Sequence, residues 1–164
     1  MNQKPNLHFF CGKMASGKST LAKSLAEENN AILISEDVWL SQLYSEEIND
    51  FDDYIKYSRR LKSILTPHIQ EILSQGISIV LDFAGNTPSQ RNWFRLIFES
   101  MEVNHILHYI IASDNLCKQQ LKIRSQDKSE GSAFTTEEEF TAITKYFQPP
   151  TPEEKFNIKT YQKD

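Results

Sequence analysis

Hydrophobic positions along the chain form short continuous runs that alternate with longer segments in which they recur every three or four residues. The continuous runs predict strands at residues 7–11, 31–34, 77–82 and 105–111, the first buried on both faces and the second also buried. An alternating segment predicts a fifth strand at 156–161. The longer spacing predicts helices at 17–29, 50–75, 88–100 and 114–124, with two shorter ones beginning after Ser35 and at Thr136. Pro67 interrupts the longest, where we expect a kink or two abutting helices. This alternation predicts an α/β fold with a parallel sheet and helices on both faces.

Composition and charge narrow the class of protein. The chain has 164 residues, 39% hydrophobic and 24% charged, with a net charge of −4; this fits one globular domain spanning residues 1–164. The acidic balance, without a long basic run, disfavours nucleic acid as a general partner.

Cys11 and Cys117 lie far apart, which predicts reduced thiols, and no apolar run approaches the length of a membrane span. Residues 1–6 lack the apolar core of a signal peptide, so we expect a cytoplasmic protein.

A phosphate-binding motif stands between the first strand and the first helix. Residues 12–20 read GKMASGKST and match G-x-x-x-x-G-K-[ST], in which glycines let backbone N–H groups surround an anion at a helix N-terminus. Within it Lys18 is predicted to reach the β- and γ-phosphates of ATP, and Ser19 to bind the accompanying Mg²⁺. A Gly/Ser-rich turn with a stray lysine is the alternative. The expected nucleotide-binding residues are Gly12, Lys13, Met14, Ala15, Ser16, Gly17, Lys18, Ser19 and Thr20.

Acidic residues follow the second and third strands, where ligands bind in sheets of this kind. Asp37 is placed to accept the proton of a hydroxyl group that attacks the γ-phosphate; helix capping is the alternative, and Glu36 is the weaker candidate. Asp82 ends the apolar strand 77–82, the Walker-B pattern. It is predicted to bind Mg²⁺ through water or to orient substrate.

Three further polar residues are candidates for contacts with the transferred phosphate or the substrate. Asn86 and Arg91 are candidate substrate contacts, with turn formation and solvent exposure as the respective alternatives. Arg124 ends the helix 114–124 and could bind the phosphate in transfer, although a cation there also complements the helix dipole. The polar, glycine-containing segment that follows predicts a mobile loop.

Three functions fit these motifs. The first is a kinase that moves the γ-phosphate of ATP to a hydroxyl group, and the second is a regulatory GTPase. Residues 82–85 match D-x-x-G, but no N-K-x-D follows a later strand to read guanine. The third is an ATP-hydrolysing or nucleotide-binding module that works with a protein partner.

The motifs together resemble those of the bacterial AAA-type ATP-binding proteins within the P-loop kinases. That group is similar to chloramphenicol phosphotransferase, zeta toxin, gluconate kinase and the kinase domain of polynucleotide kinase. The resembling segments are the P-loop, 34–39, 80–87 with Arg91, and 147–150 with Glu154 and 156–157.

The resemblance implies a three-layer P-loop NTPase fold, with five parallel strands in 2-3-1-4-5 order and a short lid at about 125–135. It also implies that Asp37 is the general base and Arg124 the lid arginine. We therefore predict a Mg²⁺- and ATP-dependent phosphotransferase acting on a small-molecule hydroxyl group. A polynucleotide 5′-hydroxyl is the less favoured acceptor.

Overall fold

A five-stranded parallel sheet forms the centre of the molecule. The computed structural model describes residues 4–126 and 136–163. The strand order is β2-β3-β1-β4-β5, as predicted. The strands are β1 (Asn6–Cys11), β2 (Ile32–Ser35), β3 (Ile79–Asp82), β4 (Asn104–Ile111) and β5 (Ile158–Gln162). All four neighbouring pairs are parallel, so the carboxyl ends of the strands lie at one edge of the sheet.

Helices connect the strands and cover both faces of the sheet. They are α1 (Lys18–Glu28), α2 (Glu36–Leu43), α3 (Phe51–Ser74), α4 (Pro88–Phe98), α5 (Asp114–Gln126) and α6 (Glu137–Thr144). A 3₁₀ turn at Pro152–Glu154 precedes β5. None of the helices in the described ranges is long and apolar enough to cross a membrane.

The central strand β1 separates two hydrophobic cores because successive side chains point to opposite faces. Leu7, Phe9 and Cys11 are fully buried in the larger core, against apolar residues of α3 and α4. Phe10 faces the other way and packs with Ala22 of α1 in a smaller core. A third cluster joins α5 to α6. The layers hold β1 rigidly and fix the loop that follows it.

The edges of the sheet differ from the sequence prediction. The prediction that segment 31–34 is a buried strand is wrong, because β2 is an edge strand and Ile32 is 41% exposed. The third strand begins at Ile79 and not at residue 77, and the fifth begins at Ile158. Helix α3 passes through Pro67 as one element, so of the two predicted outcomes, a kink or two abutting helices, the second is not found.

Local signals at the other elements agree with the structure. Ser35 caps α2, as predicted, and accepts a hydrogen bond from the backbone N–H of Val38. Cys11 and Cys117 are buried thiols, as predicted. Helix α5 continues to Gln126, which includes the first two residues of the predicted lid. Residues 127–135, the rest of that lid, lie outside the described residues.

Candidate functional site

A cleft at the carboxyl edge of the sheet brings together most of the residues singled out in the sequence. The side chains and backbone that line it include Lys13, Met14, Ala15, Lys18, Ser19, Asp37, Asp82, Asn86 and Arg124. They come from the loop after β1, the start of α2, the end of β3 and the end of α5. The topology thus places residues distant in sequence around one space, as expected for a parallel α/β sheet.

The loop between β1 and α1 has the backbone conformation that an anion site requires. Gly17 has φ 103° and Ala15 has φ 63°, so the chain turns through left-handed positions before α1 begins. A Cβ atom on Gly12 would lie 2.7 Å from the Ser16 hydroxyl oxygen, so a larger residue there would displace the loop. The Ser16 hydroxyl is buried without a hydrogen-bond partner among the described residues. A loop with these properties fits a phosphate group.

Lys18 begins α1 and its ammonium folds back over this loop. Nζ donates to the carbonyl oxygen of Gly12 over 2.5 Å. Burial lowers the pKa of Lys18, while the charges of Asp82 and Asp37 act in the opposite direction and Arg124 adds to the lowering. The ammonium is therefore partly stripped of water and lies close to both acids and to Arg124. A polyphosphate in the cleft would supply the negative charge that stabilises its ionised form.

Ser19 and Asp82 form a pair of oxygen ligands. The Ser19 hydroxyl donates a 2.7 Å hydrogen bond to Oδ2 of Asp82. Within residues 4–126 and 136–163, no three His, Cys, Asp or Glu side chains cluster closely enough to hold a metal by themselves. A hydroxyl and a carboxylate fit Mg²⁺, which is usually held by one or two protein oxygens together with substrate phosphates and water.

Two adjacent acids at the start of α2 have different environments. Glu36 is 2% exposed and accepts hydrogen bonds of 2.5 Å from the Tyr54 hydroxyl and the Ser58 hydroxyl of α3. Asp37 is solvent-accessible as a residue and lines the cleft. Loss of hydration, followed by the charges of Glu36 and Asp82, raises the pKa of Asp37 to about 6. Glu36 therefore anchors α2 to α3, whereas Asp37 lines the cleft with a raised pKa.

Arg124 lies in the last turn of α5 and lines the same cleft as Lys18 and Asp37. Its charge contributes to lowering the pKa of both groups. A contact between Arg124 and the transferred phosphate stays a prediction.

Asn86 holds the phosphate loop in position. Its Oδ1 accepts a 2.8 Å hydrogen bond from the backbone N–H of Gly12. Its own backbone N–H donates to Oε1 of Gln90, and its carbonyl accepts from the N–H of Gln148. Asn86 lines the cleft, but these bonds tie the loop to α4 and to the segment after α6, as a positioning residue would.

Arg91 does not reach the cleft, contrary to the prediction of a substrate contact. It is 1% exposed, and its Nε bonds Oε1 of Glu154 over 2.8 Å. The guanidinium also donates to the carbonyl oxygens of Gly85 and Gln148. Arg91 instead joins the β3–α4 turn to the segment before β5. Thr20 also lies outside the cleft lining and is exposed on the first turn of α1.

Several lining residues were not singled out from the sequence. Phe51 and Tyr54 come from the start of α3, and Tyr146 and Phe147 follow α6. The Phe51 and Tyr146 rings are nearly parallel, with centroids 6.2 Å apart, and they connect the two sides of the cleft. Of these four residues, only Phe147 could have been identified from the sequence, because it lies in one of the segments that resemble the P-loop kinases.

Comparisons with known proteins agree with this geometry. The family model of an AAA domain, AAA_33, matches residues 7–150. Among curated proteins, the shikimate kinase of Azobacteroides pseudotrichonymphae genomovar. CFP2 is 35% identical over 83 residues, which cover 49% of this chain and 46% of that protein. The match thus spans about half the length of that relative.

Solved structures share the fold at low identity. A gluconokinase from Sinorhizobium meliloti 1021 is 17% identical, with a TM-score of 0.62 over 96% of this chain and 83% of its own. Chaetomium thermophilum Kti12, solved in complex with ADP-AlF3, is 15% identical, with a TM-score of 0.68 over 95% and 87%. On the evidence of the matched residues 7–150, the chain belongs to the AAA_33 family of AAA domains.

Proposed function

We propose that this protein transfers the γ-phosphate of Mg²⁺·ATP to a hydroxyl group of a small molecule. The observation that carries the proposal is that Lys18, Asp37 and Arg124 line one cleft, beside a loop shaped for phosphate. Phosphoryl transfer to a hydroxyl group requires a cation on each side of the transferred phosphoryl group and a carboxylate that faces this group.

The phosphate loop and Lys18 bind the nucleotide. Backbone N–H groups of residues 13–19 surround the phosphates, and Lys18 neutralises the β- and γ-phosphates. Ser19 and Asp82 would hold the Mg²⁺ that accompanies ATP, and the ion would neutralise negative charge on the phosphate oxygens. The hydrogen bond between Ser19 and Asp82 holds these two side chains together in advance.

Asp37 acts as the general base. Its pKa of about 6 leaves the carboxylate mostly ionised at pH 7, yet more basic than an ordinary aspartate. The acceptor oxygen forms a bond to the γ-phosphorus while the bond from that phosphorus to the β–γ bridging oxygen breaks. The hydroxyl proton passes to a carboxylate oxygen of Asp37, and ADP leaves.

Arg124 stabilises the phosphoryl group during transfer. A planar guanidinium donates two parallel N–H groups, which suits negative charge spread over the equatorial phosphate oxygens. Its place in the last turn of α5, in the lining of the cleft, puts the arginine beside the proposed phosphate site. In the proposed mechanism Arg124 contributes to the transition state more than to nucleotide affinity.

Two relatives support a small-molecule acceptor. The curated relative is a shikimate kinase and one structural neighbour is a gluconokinase, and both names describe phosphorylation of a small molecule. The complex of Kti12 with ADP-AlF3 supports nucleotide binding on this fold. The alternative, an ATP-hydrolysing or regulatory nucleotide-binding module, differs in its product, because it would release inorganic phosphate only.

The test is a screen of hydroxyl-bearing metabolites with γ-labelled ATP, scored for labelled organic product. We expect wild-type protein to label at least one acceptor. Lys18→Ala should lose tight ATP binding by calorimetry, and Asp37→Asn should keep ATP binding but lose transfer by about 10²-fold or more. Glu71→Gln, which makes the same charge change on the exposed surface of α3, is the control. Labelled phosphate without any labelled acceptor would overturn the proposal.

A further inference from the structure

A second groove adjoins the cleft between α3 and α4. Its walls include Arg59, Lys62 and Thr66 of α3 and Trp93 of α4. The groove and the cleft share the lining residues Phe51, Tyr54, Thr87, Gln90 and Tyr146, so the two spaces are neighbours. A small molecule in the groove would therefore lie beside the phosphate site.

Lys62 places a partly buried cation in this groove. It is half-buried, and its ammonium lies over the Trp93 ring, 5.1 Å from the centroid, in a cation–π contact. It forms no ion pair with any acid in residues 4–126 or 136–163. Burial lowers the pKa of Lys62, and the charge of Glu36 opposes this effect. Glu36 is already bonded to Tyr54 and Ser58.

The neighbourhood of Lys62 is cationic and aromatic. Arg59 lies one turn earlier on the same wall and is exposed. The acid that lines the groove, Asp52, is ten positions before Lys62 on α3, or about 15 Å along a helix. Placing a cation in partly buried surroundings costs free energy unless an anion accompanies it. The arrangement therefore favours a negatively charged ligand at the Lys62 end of the groove.

We propose that the acceptor is an anionic alcohol whose carboxylate or phosphate is bound by Lys62 and Arg59, with its apolar part against Trp93 and its hydroxyl group at Asp37. This rests on the proposed function, because it assigns the groove to the acceptor of that reaction. Ser58 connects the two sites, since it lines the groove and bonds Glu36, the residue before Asp37.

The binding test uses Trp93 as a reporter in the absence of nucleotide. The chain has two tryptophans, so Trp39→Phe leaves Trp93 alone. This protein is titrated with matched pairs, gluconate against glucitol and glycerol 3-phosphate against glycerol, within a panel of hydroxycarboxylates and phosphate monoesters. We expect a saturable change in fluorescence with an anionic member and none with its neutral partner. The pairs distinguish carboxylate from phosphate. Equal responses to neutral and anionic members, or no saturable response to any anion, would overturn the proposal.

Three variants in the Trp39→Phe background test whether Lys62 is responsible for anion binding. Lys62→Met should weaken binding of the responding anion by about tenfold or more, because the stem is kept and the charge is lost. Lys62→Arg should retain it. Lys56→Met, an exposed lysine over the Tyr57 ring of the same helix, is the matched control and should change nothing. Unchanged affinity in Lys62→Met would remove the lysine from the site.

Kinetics separate this proposal from the proposed function. With γ-labelled ATP, Lys62→Met should raise KM for the acceptor by about tenfold or more and leave KM for ATP unchanged. Lys62-dependent anion binding without any phosphate transfer would overturn the proposed kinase activity alone. Phosphate transfer that is insensitive to Lys62 and to the charge of the acceptor would overturn the subsite alone.

Discussion

Ser19 and Asp82 lie 63 positions apart in the chain, yet the serine hydroxyl donates a 2.7 Å hydrogen bond to the aspartate. The bond joins the first turn of α1 to the end of β3, two elements whose positions are fixed by the central sheet. It holds a hydroxyl and a carboxylate at the mouth of the phosphate loop before nucleotide binds. We propose that the pair is a preorganised site for the Mg²⁺ that would accompany ATP.

Asp82→Asn should raise the Mg²⁺ concentration needed for tight ATP binding by about tenfold or more, because an outer oxygen partner of the metal is weakened. Without Mg²⁺, ATP should bind the variant at least as tightly as wild type, since one negative charge near the phosphates has been removed. Calorimetry of ATP binding across a Mg²⁺ series, with the exposed Glu102→Gln as control, measures both effects. Equal Mg²⁺ dependence in wild type and variant would contradict this role.

The pH dependence of phosphate transfer should report Asp37. Loss of hydration and the charge of Glu36 raise the pKa of Asp37 to about 6, so kcat/KM should fall as the pH drops through about 6 and the carboxylate gains a proton. Glu36→Gln removes the neighbouring negative charge, which should move this acid limb to lower pH. Asp37→Asn should lose the limb together with most of the activity. A limb that stays in place in Glu36→Gln would mean that another group controls the profile.

The centre of the fold could be predicted from the sequence, and its edges could not. Strands β1 and β4 are long, apolar and buried, and their hydrophobic runs have no other reading than strand. At the edge strand β2, Ile32 is exposed although it belongs to an apolar run. A run of four apolar residues does not indicate how many neighbouring strands will pair with it, because the order of strands in the sheet is set by the topology. The 2-3-1-4-5 order came from the family resemblance and is confirmed.

The site residues could be predicted where a polar side chain closely follows a strand. Asp82 ends β3, Asp37 lies in the first turn of α2 after β2, and Lys18 begins α1 after the loop that follows β1, so the parallel sheet brings these elements to one edge. Arg91 was misplaced, although the signal existed: Arg91, Phe94 and Phe98 follow the i, i+3, i+7 spacing and share the buried face of α4. Its partner Glu154 lies 63 positions away, and no local pattern gives that contact.

Arg91→Met should lower the free energy of unfolding by about 2 kcal/mol, because it removes a buried guanidinium that donates to a carboxylate and to two backbone carbonyl groups. The groups affected are Glu154 and the carbonyls of Gly85 and Gln148. Urea denaturation measures the loss. Arg60→Met, an exposed arginine over the Tyr57 ring, should cost far less. If the two variants are equally stable, the buried network contributes little.

Two histidines are buried in the sheet outside the proposed site. His8 of β1 and His108 of β4 lie 2.9 Å apart from Nδ1 to Nε2, and Nδ1 of His108 is 2.8 Å from the Tyr161 hydroxyl of β5. One proton per bond satisfies this chain with both rings neutral, whichever way the two bonds run. Nε2 of His8 is buried without a partner in the described part of the chain. Both rings are therefore held neutral.

The protein should lose stability between pH 6.5 and about 4 through these histidines. Burial, with the charges of His8 and Lys159, lowers the pKa of His108 to about 4, and burial also lowers the pKa of His8. As the pH falls below 6.5, the histidines of the unfolded chain bind protons that those of the folded protein do not bind. The contribution of the neutral histidines to stability is therefore complete above pH 6.5 and is lost toward pH 4. For His108 the loss is on the order of 3 kcal/mol.

Urea denaturation across this range should show a shallower pH dependence for His108→Leu than for wild type, whereas the exposed His68→Gln should follow wild type. Because carboxylates titrate equally in all three proteins, the difference between the curves of stability against pH isolates the effect of the buried histidine pair. Parallel curves for His108→Leu and wild type would show that the pair does not resist protonation.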